Sequence, residues 1–174
     1  MIREAIPVDI DAIAKIYESI HAAEESGRMT TGWISGVYPV RETAEEAVRR
    51  RDMFVLEEDG CILAAAIINK TQVDVYEGAG WSFEASAPEV CVLHTLVVDP
   101  QYAGRGIGRR FVAFYEKYAL SRHCAVLRID TNAINAAARA LYSKLGYREA
   151  DIVPCVFNGI PDVDLVLLEK KLKS

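Results

Sequence analysis

Between an apolar stretch, Val90 to Val98, and a helix-patterned one lies the run Gln101-Tyr102-Ala103-Gly104-Arg105-Gly106-Ile107-Gly108-Arg109-Arg110. Three alternating glycines leave the backbone without Cβ atoms, so consecutive N–H groups can approach a bound oxygen closely. The start of the following helix adds unpaired N–H groups and the positive end of its dipole. Arg105, Arg109 and Arg110 stand where a helix prefers acids, and a polyanion would offset that repulsion. The junction reads as an anion cradle. The plainer alternative is a strand–turn–helix junction whose glycines serve only a tight turn.

Two familiar phosphate motifs do not fit. A P-loop needs Lys followed by Ser or Thr after its second glycine, and neither occurs. A dinucleotide fingerprint counted from Gly104 would need glycine where Arg109 stands.

Bulk composition narrows the partners. With 174 residues, 51% hydrophobic and 26% charged, the chain is expected to be one globular domain, residues 1–174. A net charge of −5 argues against coating a nucleic acid, and the basic residues form no long block. The best apolar run, Cys61 to Ile68, is far short of the roughly 18 residues of a membrane span. The N-terminus lacks the apolar core of a secretory signal. Cys61, Cys91, Cys124 and Cys155 have no C-x-x-C spacing, and only His21, His94 and His123 could join them. Reduced thiols in a cytoplasmic protein are expected, with neither a disulfide framework nor a metal site.

Periodicity then orders the chain. Ile10, Ile13, Tyr17 and Ile20 mark an amphipathic helix opened by Pro7 and Asp9, after a short first strand. Residues 25–40 form a loop that keeps Met29, Trp33 and Tyr38, large side chains expected to line a pocket or the core. Thr43 to Arg51 reads as a second helix with Thr43 as its cap and Glu46 at the capping-box position. Met53–Glu57 and Cys61–Asn69 are strands joined through Glu58-Asp59-Gly60, a hairpin signal. A long acidic connection follows, holding Tyr76, Trp81 and Phe83. Val90–Val98 suits a strand covered on both faces. The next helix carries Ile107, Phe111, Phe114 and Tyr118 on one stripe. Ala125–Ile129 is a further strand, and a helix opened by Asn132 or Asn135 runs through Lys144 to Gly146. Two last strands close the chain. This order implies an α/β (α+β) fold, a mixed sheet with helices on both faces, whose unit from Val90 to Ile129 is parallel and right-handed.

The pattern Gln-x-x-Gly-x-Gly followed by Ile-Gly resembles the acyl-CoA loop of the GNAT acetyltransferase superfamily. A second stretch, Asn135 with Ala138, Leu141-Tyr142 and Leu145-Gly146-Tyr147, resembles that superfamily's N…A..LY..LGY signature at the expected separation. The resemblance implies a mostly antiparallel central sheet with one splayed parallel strand pair in the middle. It implies acetyl-CoA as the ligand, with no metal. The pantetheine arm would pair with the main chain at Leu96, Val97 and Val98. Amides from Ala103 through Gly104, Arg105, Gly106, Ile107 and Gly108 to Arg109 would bind the diphosphate. Asn135 would touch the cofactor from the next helix.

By the same resemblance the chain is an N-acetyltransferase, in which an amine attacks the thioester directly in a ternary complex. The departing thiolate then needs a proton donor, and Tyr142 falls where the family's tyrosine acid does. For the base, His94 lies on the strand beside the thioester, where a bulge would re-aim it, and histidine titrates near neutral pH. Water is an alternative, and Glu89 at the strand entrance is a rival. The acceptor pocket is expected from Trp33, Tyr38, Trp81 and Phe157, with acids of the long connection (Asp74, Glu77, Glu84, Glu89) attracting a cationic amine. The partner expected is a small-molecule amine such as an amino acid or polyamine, with no nucleic acid or membrane. A protein N-terminus or lysine, and a non-catalytic acyl-CoA-binding module, stay open. Family habit would make the assembly a homodimer.

Overall fold

The computed structural model describes residues 1–173. Seven strands form one sheet: β1 (Ile2–Glu4), β2 (Met53–Glu58), β3 (Cys61–Asn69), β4 (Val90–Val98), β5 (Val126–Asn132), β6 (Arg148–Phe157) and β7 (Ile160–Lys171). Their order across it is β1-β2-β3-β4-β5-β7-β6. Among the described residues the sole parallel pairing is β4 with β5; every other neighbour is antiparallel. That is the mixed, mostly antiparallel sheet expected.

Four helices cover it: α1 (Ile10–Glu25), α2 (Arg41–Arg50), α3 (Ile107–Ser121) and α4 (Ala136–Lys144). Helices α3 and α4 bury one face through Phe111, Tyr115 and Tyr142 against Leu93, Leu127 and Ile129. On the opposite face, α1 and α2 bury Ile13, Tyr17, Ala44 and Ala47 against Val55, Ala65 and Val97. The rest of that face lies under residues 71–89, where Tyr76 packs with Val90, Val92, Val126 and Leu165. Helices therefore occupy both faces, but a loop segment completes one of them.

Local chemistry explains most boundaries. The β2–β3 hairpin turns at Asp59 (φ 50°) and Gly60 (φ 75°), the paired positive dihedrals of a two-residue turn that matches strand twist. Helix α2 starts at Arg41, two residues before the expected Thr43. Thr43 is not the cap: its Oγ1 reaches back to accept from the Val40 amide at 3.1 Å. Asn135 caps α4, accepting from the Ala138 amide at 3.1 Å, and Gly146 (φ 85°) ends it. β5 runs on to Asn132 rather than stopping at Ile129, because β7 continues to pair with it through Leu165.

The long connection is anchored, not loose. The Glu169 carboxylate, wholly buried, accepts from the Ser82 and Phe83 amides at 2.7 and 3.3 Å and is paired with Arg148. The Arg128 guanidinium lies over the Trp81 ring, 4.0 Å from its centre. No helix among the described residues is long and apolar enough to cross a membrane.

Candidate active site

Strands β4 and β5 run side by side only from Val90↔Val126 to Leu93↔Ile129. Past that pair they part. β4 stays on β3 through Val98, whereas β5 follows β7 through Asn132. Beyond Leu93 the β5-facing edge of β4 has no strand partner among the described residues, so its main-chain groups are free to take another.

A bulge in β4 lies where the strands part. Between Ala65↔Val97 and Ile67↔His94, β3 advances two residues while β4 advances three. The extra residue is absorbed at Thr95, whose φ of 50° is left-handed. The Thr95 hydroxyl bonds the Tyr38 hydroxyl, which ties the loop before α2 to the bulge.

A cleft of about 710 Å³ occupies the gap. Trp33, Tyr38, His94, Leu96, Tyr142 and Phe157 all line it, and Asn135 stands at the same wall. Two contacts roof it. A Cβ on Gly32 (φ 80°) would fall 2.2 Å from Asn132 Nδ2, so the loop lies directly on the end of β5. A Cβ on Gly159, in the β6–β7 turn, would meet Val37 Cγ1 at 3.4 Å.

The Tyr142 side chain is 5% exposed, and its hydroxyl has no hydrogen-bond partner among the described residues. Burial first, and Asp130 second, raise its phenol well above the ordinary value. It is a firmly protonated donor facing the gap.

His94 is held otherwise than expected. Its Nε2 lies 3.0 Å from Asn69 Oδ1. That oxygen also accepts from the Thr71 amide, while Asn69 Nδ2 donates to Asp52 at 2.9 Å, which fixes the amide's orientation. Nε2 must then carry the proton, leaving Nδ1 as the basic atom. Burial pushes the imidazole down to about 4, so His94 is neutral at pH 7 and a poor proton acceptor.

A carboxylate absent from the sequence-based expectation stands in the same wall. Asp130 is the first residue of β5 past the last β4–β5 pair. Its Oδ2 accepts from the Tyr76 hydroxyl at 2.6 Å, and Oδ1 has no hydrogen bond among the described residues. Burial raises its pKa to about 6, only partly opposed by the Tyr76 bond.

Two expected site residues lie elsewhere. Glu89 is at the opposite end of β4, before Val90, and does not line the cleft. Its carboxylate accepts from the Ser86 amide and hydroxyl, which lowers its pKa and makes it a turn cap. At about 3.3 Å per residue, the entrance of β4 is some 13 Å from the splay. Trp81 is outside the cleft too, set edge-on to Tyr76 and donating to its carbonyl at 2.9 Å. Nor do Asp74, Glu77 or Glu84 line it; the acids that do are Glu42, Glu46 and Asp130.

The glycine run sits beside the gap, between β4 and α3. The amides of Gly104, Arg105, Gly106, Ile107, Gly108 and Arg109 make no hydrogen bond among the described residues; pairing resumes at Arg110, which donates to the Gly106 carbonyl. Gly104 (φ 77°) and Gly106 (φ 72°) are left-handed, and a Cβ on either would meet no protein atom within 4 Å. Gly108 answers to packing instead, since a Cβ there would lie 3.3 Å from Leu141. Of the three arginines, Arg110 is paired with Glu58 at 2.6 Å. Arg105 and Arg109 have no carboxylate partner among the described residues, and Arg105 lies 5.1 Å from the Tyr102 ring centre. Six free amides, two arginines and open space above the glycines fit a diphosphate.

Leu96 lines the cleft, but the Val97 side chain is buried toward α1 and Val98 packs toward α3. Only their main chain can serve a ligand. Cys155 is partly buried beside Phe157, outside the cleft, and burial raises its thiol above the usual range.

The model of the Acetyltransferase (GNAT) family matches residues 14–147. Among curated proteins, the chain is 40% identical over 60 residues to a [ribosomal protein bS18]-alanine N-acetyltransferase of Escherichia coli, covering 34% of this chain and 40% of that protein. The curated relatives it matches are covered over 32–58% of their own lengths. Among solved structures, a GNAT-family acetyltransferase from Streptococcus agalactiae superposes with a TM-score of 0.81 at 22% identity, covering 100% of this chain and 96% of that one. An acetyltransferase from Salmonella typhimurium, solved with its cofactor acetyl-CoA, superposes at 0.71 with 20% identity over 100% and 94% of the two chains.

Proposed function

The chain belongs to the GNAT acetyltransferase family, and from that premise we propose that it transfers the acetyl group of acetyl-CoA to the primary amine of a small metabolite by direct attack in a ternary complex. The strongest support is the gap past Leu93 and Ile129, with Tyr142 and Asp130 facing it and six unpaired amides beside it. Acetyl-CoA would supply an activated acyl carbon and a thiolate leaving group. The amides from Gly104 to Arg109 would hold its diphosphate, and the free edge of β4 its pantetheine arm.

The protein's own groups then do three things. Asp130, ionised above about pH 6, attracts the acceptor's ammonium and takes the proton released as the N–C bond forms; a pKa near the working pH suits a general base. A main-chain N–H of β4 past Leu93, where the strand has no β5 partner, would offer a donor to the carbonyl oxygen as it gains charge. Tyr142 donates a hydrogen bond to the sulfur as the C–S bond breaks. Its raised pKa makes full proton transfer to a thiolate of reference pKa about 8.5 uphill, so stabilisation of the departing charge is its task. His94, at about 4, is assigned to holding the Asn69 corner rather than to the base.

A small acceptor is favoured over a peptide by the roof. The close approach of Gly32 to Asn132, and of the Gly159 turn to Val37, brings the loop before α2 over the end of β5 and beside the β6–β7 turn, which supports a small acceptor. The unpartnered Tyr142 hydroxyl favours a catalyst over a passive CoA-binding module. Four free cysteines suit a reducing compartment such as the cytoplasm. Release of free thiol from acetyl-CoA, followed across a panel of amines and peptides, tests the reading: small amines should be turned over, and turnover of peptides alone would refute it.

A further inference from the structure

The charges around the cleft are lopsided. Asp130 on β5 and Glu42 and Glu46 on α2 place three carboxylates in its lining, against one guanidinium, Arg50. That guanidinium is already claimed. Its Nε and Nη2 donate to the two Asp52 oxygens at 3.0 and 3.3 Å, and its Nη1 lies 3.9 Å from Glu46. Glu42 has no ion-pair partner among the described residues. His94 is neutral and adds nothing to the balance.

The placement matters as much as the count. Glu42 and Glu46 are four residues apart, so they share a face of α2; both are exposed yet line the cleft, which puts them at its mouth. Asp130 lies deep, beside the splay. The same cleft is lined by Trp33 and Tyr38, edge to face at 6.2 Å, surfaces that suit an alkyl stem or a cation. Independently of the acids, Tyr142, only 5% exposed, lines the cleft with a hydroxyl that bonds nothing among the described residues, the mark of a space shaped for a ligand.

We propose that the acceptor is dicationic: a diamine or polyamine whose reacting ammonium docks at Asp130 while a second ammonium sits between Glu42 and Glu46. This rests on the reading of the cleft as the acceptor site. An amine bearing a carboxylate in place of the second ammonium meets an unpaired Glu42, a Glu46 only distantly paired with Arg50, and no free cation in the lining. Amino acids are therefore poor acceptors.

Three acceptors of equal chain length decide it: an α,ω-diamine, the monoamine and the ω-amino acid. Calorimetric titration of each into the CoA-saturated protein at low ionic strength gives affinities whether or not turnover occurs, and thiol release with acetyl-CoA gives kcat/KM. The diamine should exceed the monoamine by about tenfold and the amino acid by more, the gain of one or two favourable charge pairs. In the Glu42→Gln/Glu46→Gln double variant, the diamine-to-monoamine ratio should fall to near one, and added salt should erode it in the wild type. Equal affinities for diamine and amino acid, or a ratio preserved in the double variant, would overturn the proposal. Absence of turnover with every amine, alongside preserved diamine preference in binding, would count against the transferase reading alone.

Discussion

The Tyr76 hydroxyl donates a 2.6 Å hydrogen bond to Asp130 Oδ2 at the point where β5 leaves β4. Segment 71–89, which packs under the sheet, thereby fixes one carboxylate oxygen and leaves the other turned to the gap. With the carboxyl raised to about 6, kcat/KM should rise with pH through about 6 on its acid side. Asp130→Asn should remove that limb and lower kcat by about a hundredfold.

The same shift has a cost in stability. A carboxyl whose folded value exceeds its unfolded value of 3.8 favours folding below 3.8, and that contribution is lost as pH rises through about 6. At pH 7.5 the ionised Asp130 is a burden, and Asp130→Asn should raise Tm by several degrees, on the order of 1–2 kcal/mol. Thermal melts at pH 5 and 7.5 check this: the gain should shrink at the lower pH.

Tyr142→Phe removes a hydroxyl that bonds nothing in the protein. Folding should be unaffected, acetyl-CoA affinity nearly intact, and kcat lower by about ten- to a hundredfold. Unchanged turnover would remove Tyr142 from the chemistry.

His94→Gln keeps a side chain that can bond Asn69. Because the imidazole is already neutral over the working range, the acid limb near pH 6 should stay where it is and the rate should change by less than about tenfold. A limb that moves with this substitution would return the base to His94.

Gly32 holds the roof by lying against Asn132. Gly32→Ala meets both a left-handed φ of 80° and a Cβ 2.2 Å from Nδ2, so the loop must lift. Stability should fall by about 1–3 kcal/mol, and KM for the amine should rise while acetyl-CoA affinity holds.

Much of this architecture is legible in the sequence because its signals are local. The Asp59-Gly60 turn, the Asn135 cap, the Gly146 stop and the glycine run each require one or a few backbone conformations, and the chain adopts them. The acceptor end depends on tertiary placement instead. Glu89 adjoins the right strand but at its far end, and Trp81 is large and polar-tipped yet serves Arg128 and Tyr76. Glu46 reads only as a capping-box residue, and nothing local marks it or Glu42 as a cleft acid until α2 packs beside the gap. Asp130 did leave a trace: Arg128, Asp130 and Asn132 alternate with Leu127 and Ile129, a period of two that carries the strand past Ile129 and sets an acid on its inner face.

The amides between Gly104 and Arg109 are the foundation of the account, and calorimetric titration of acetyl-CoA into the wild type and Gly106→Val tests them most directly. The added side chain meets no protein atom near its Cβ, so beyond the left-handed strain of about 1–2 kcal/mol the fold should survive, as a melt will show. The wild type should bind with a one-to-one heat and the folded variant at least about tenfold more weakly. No heat in the wild type, or equal affinity in the variant, would contradict the account.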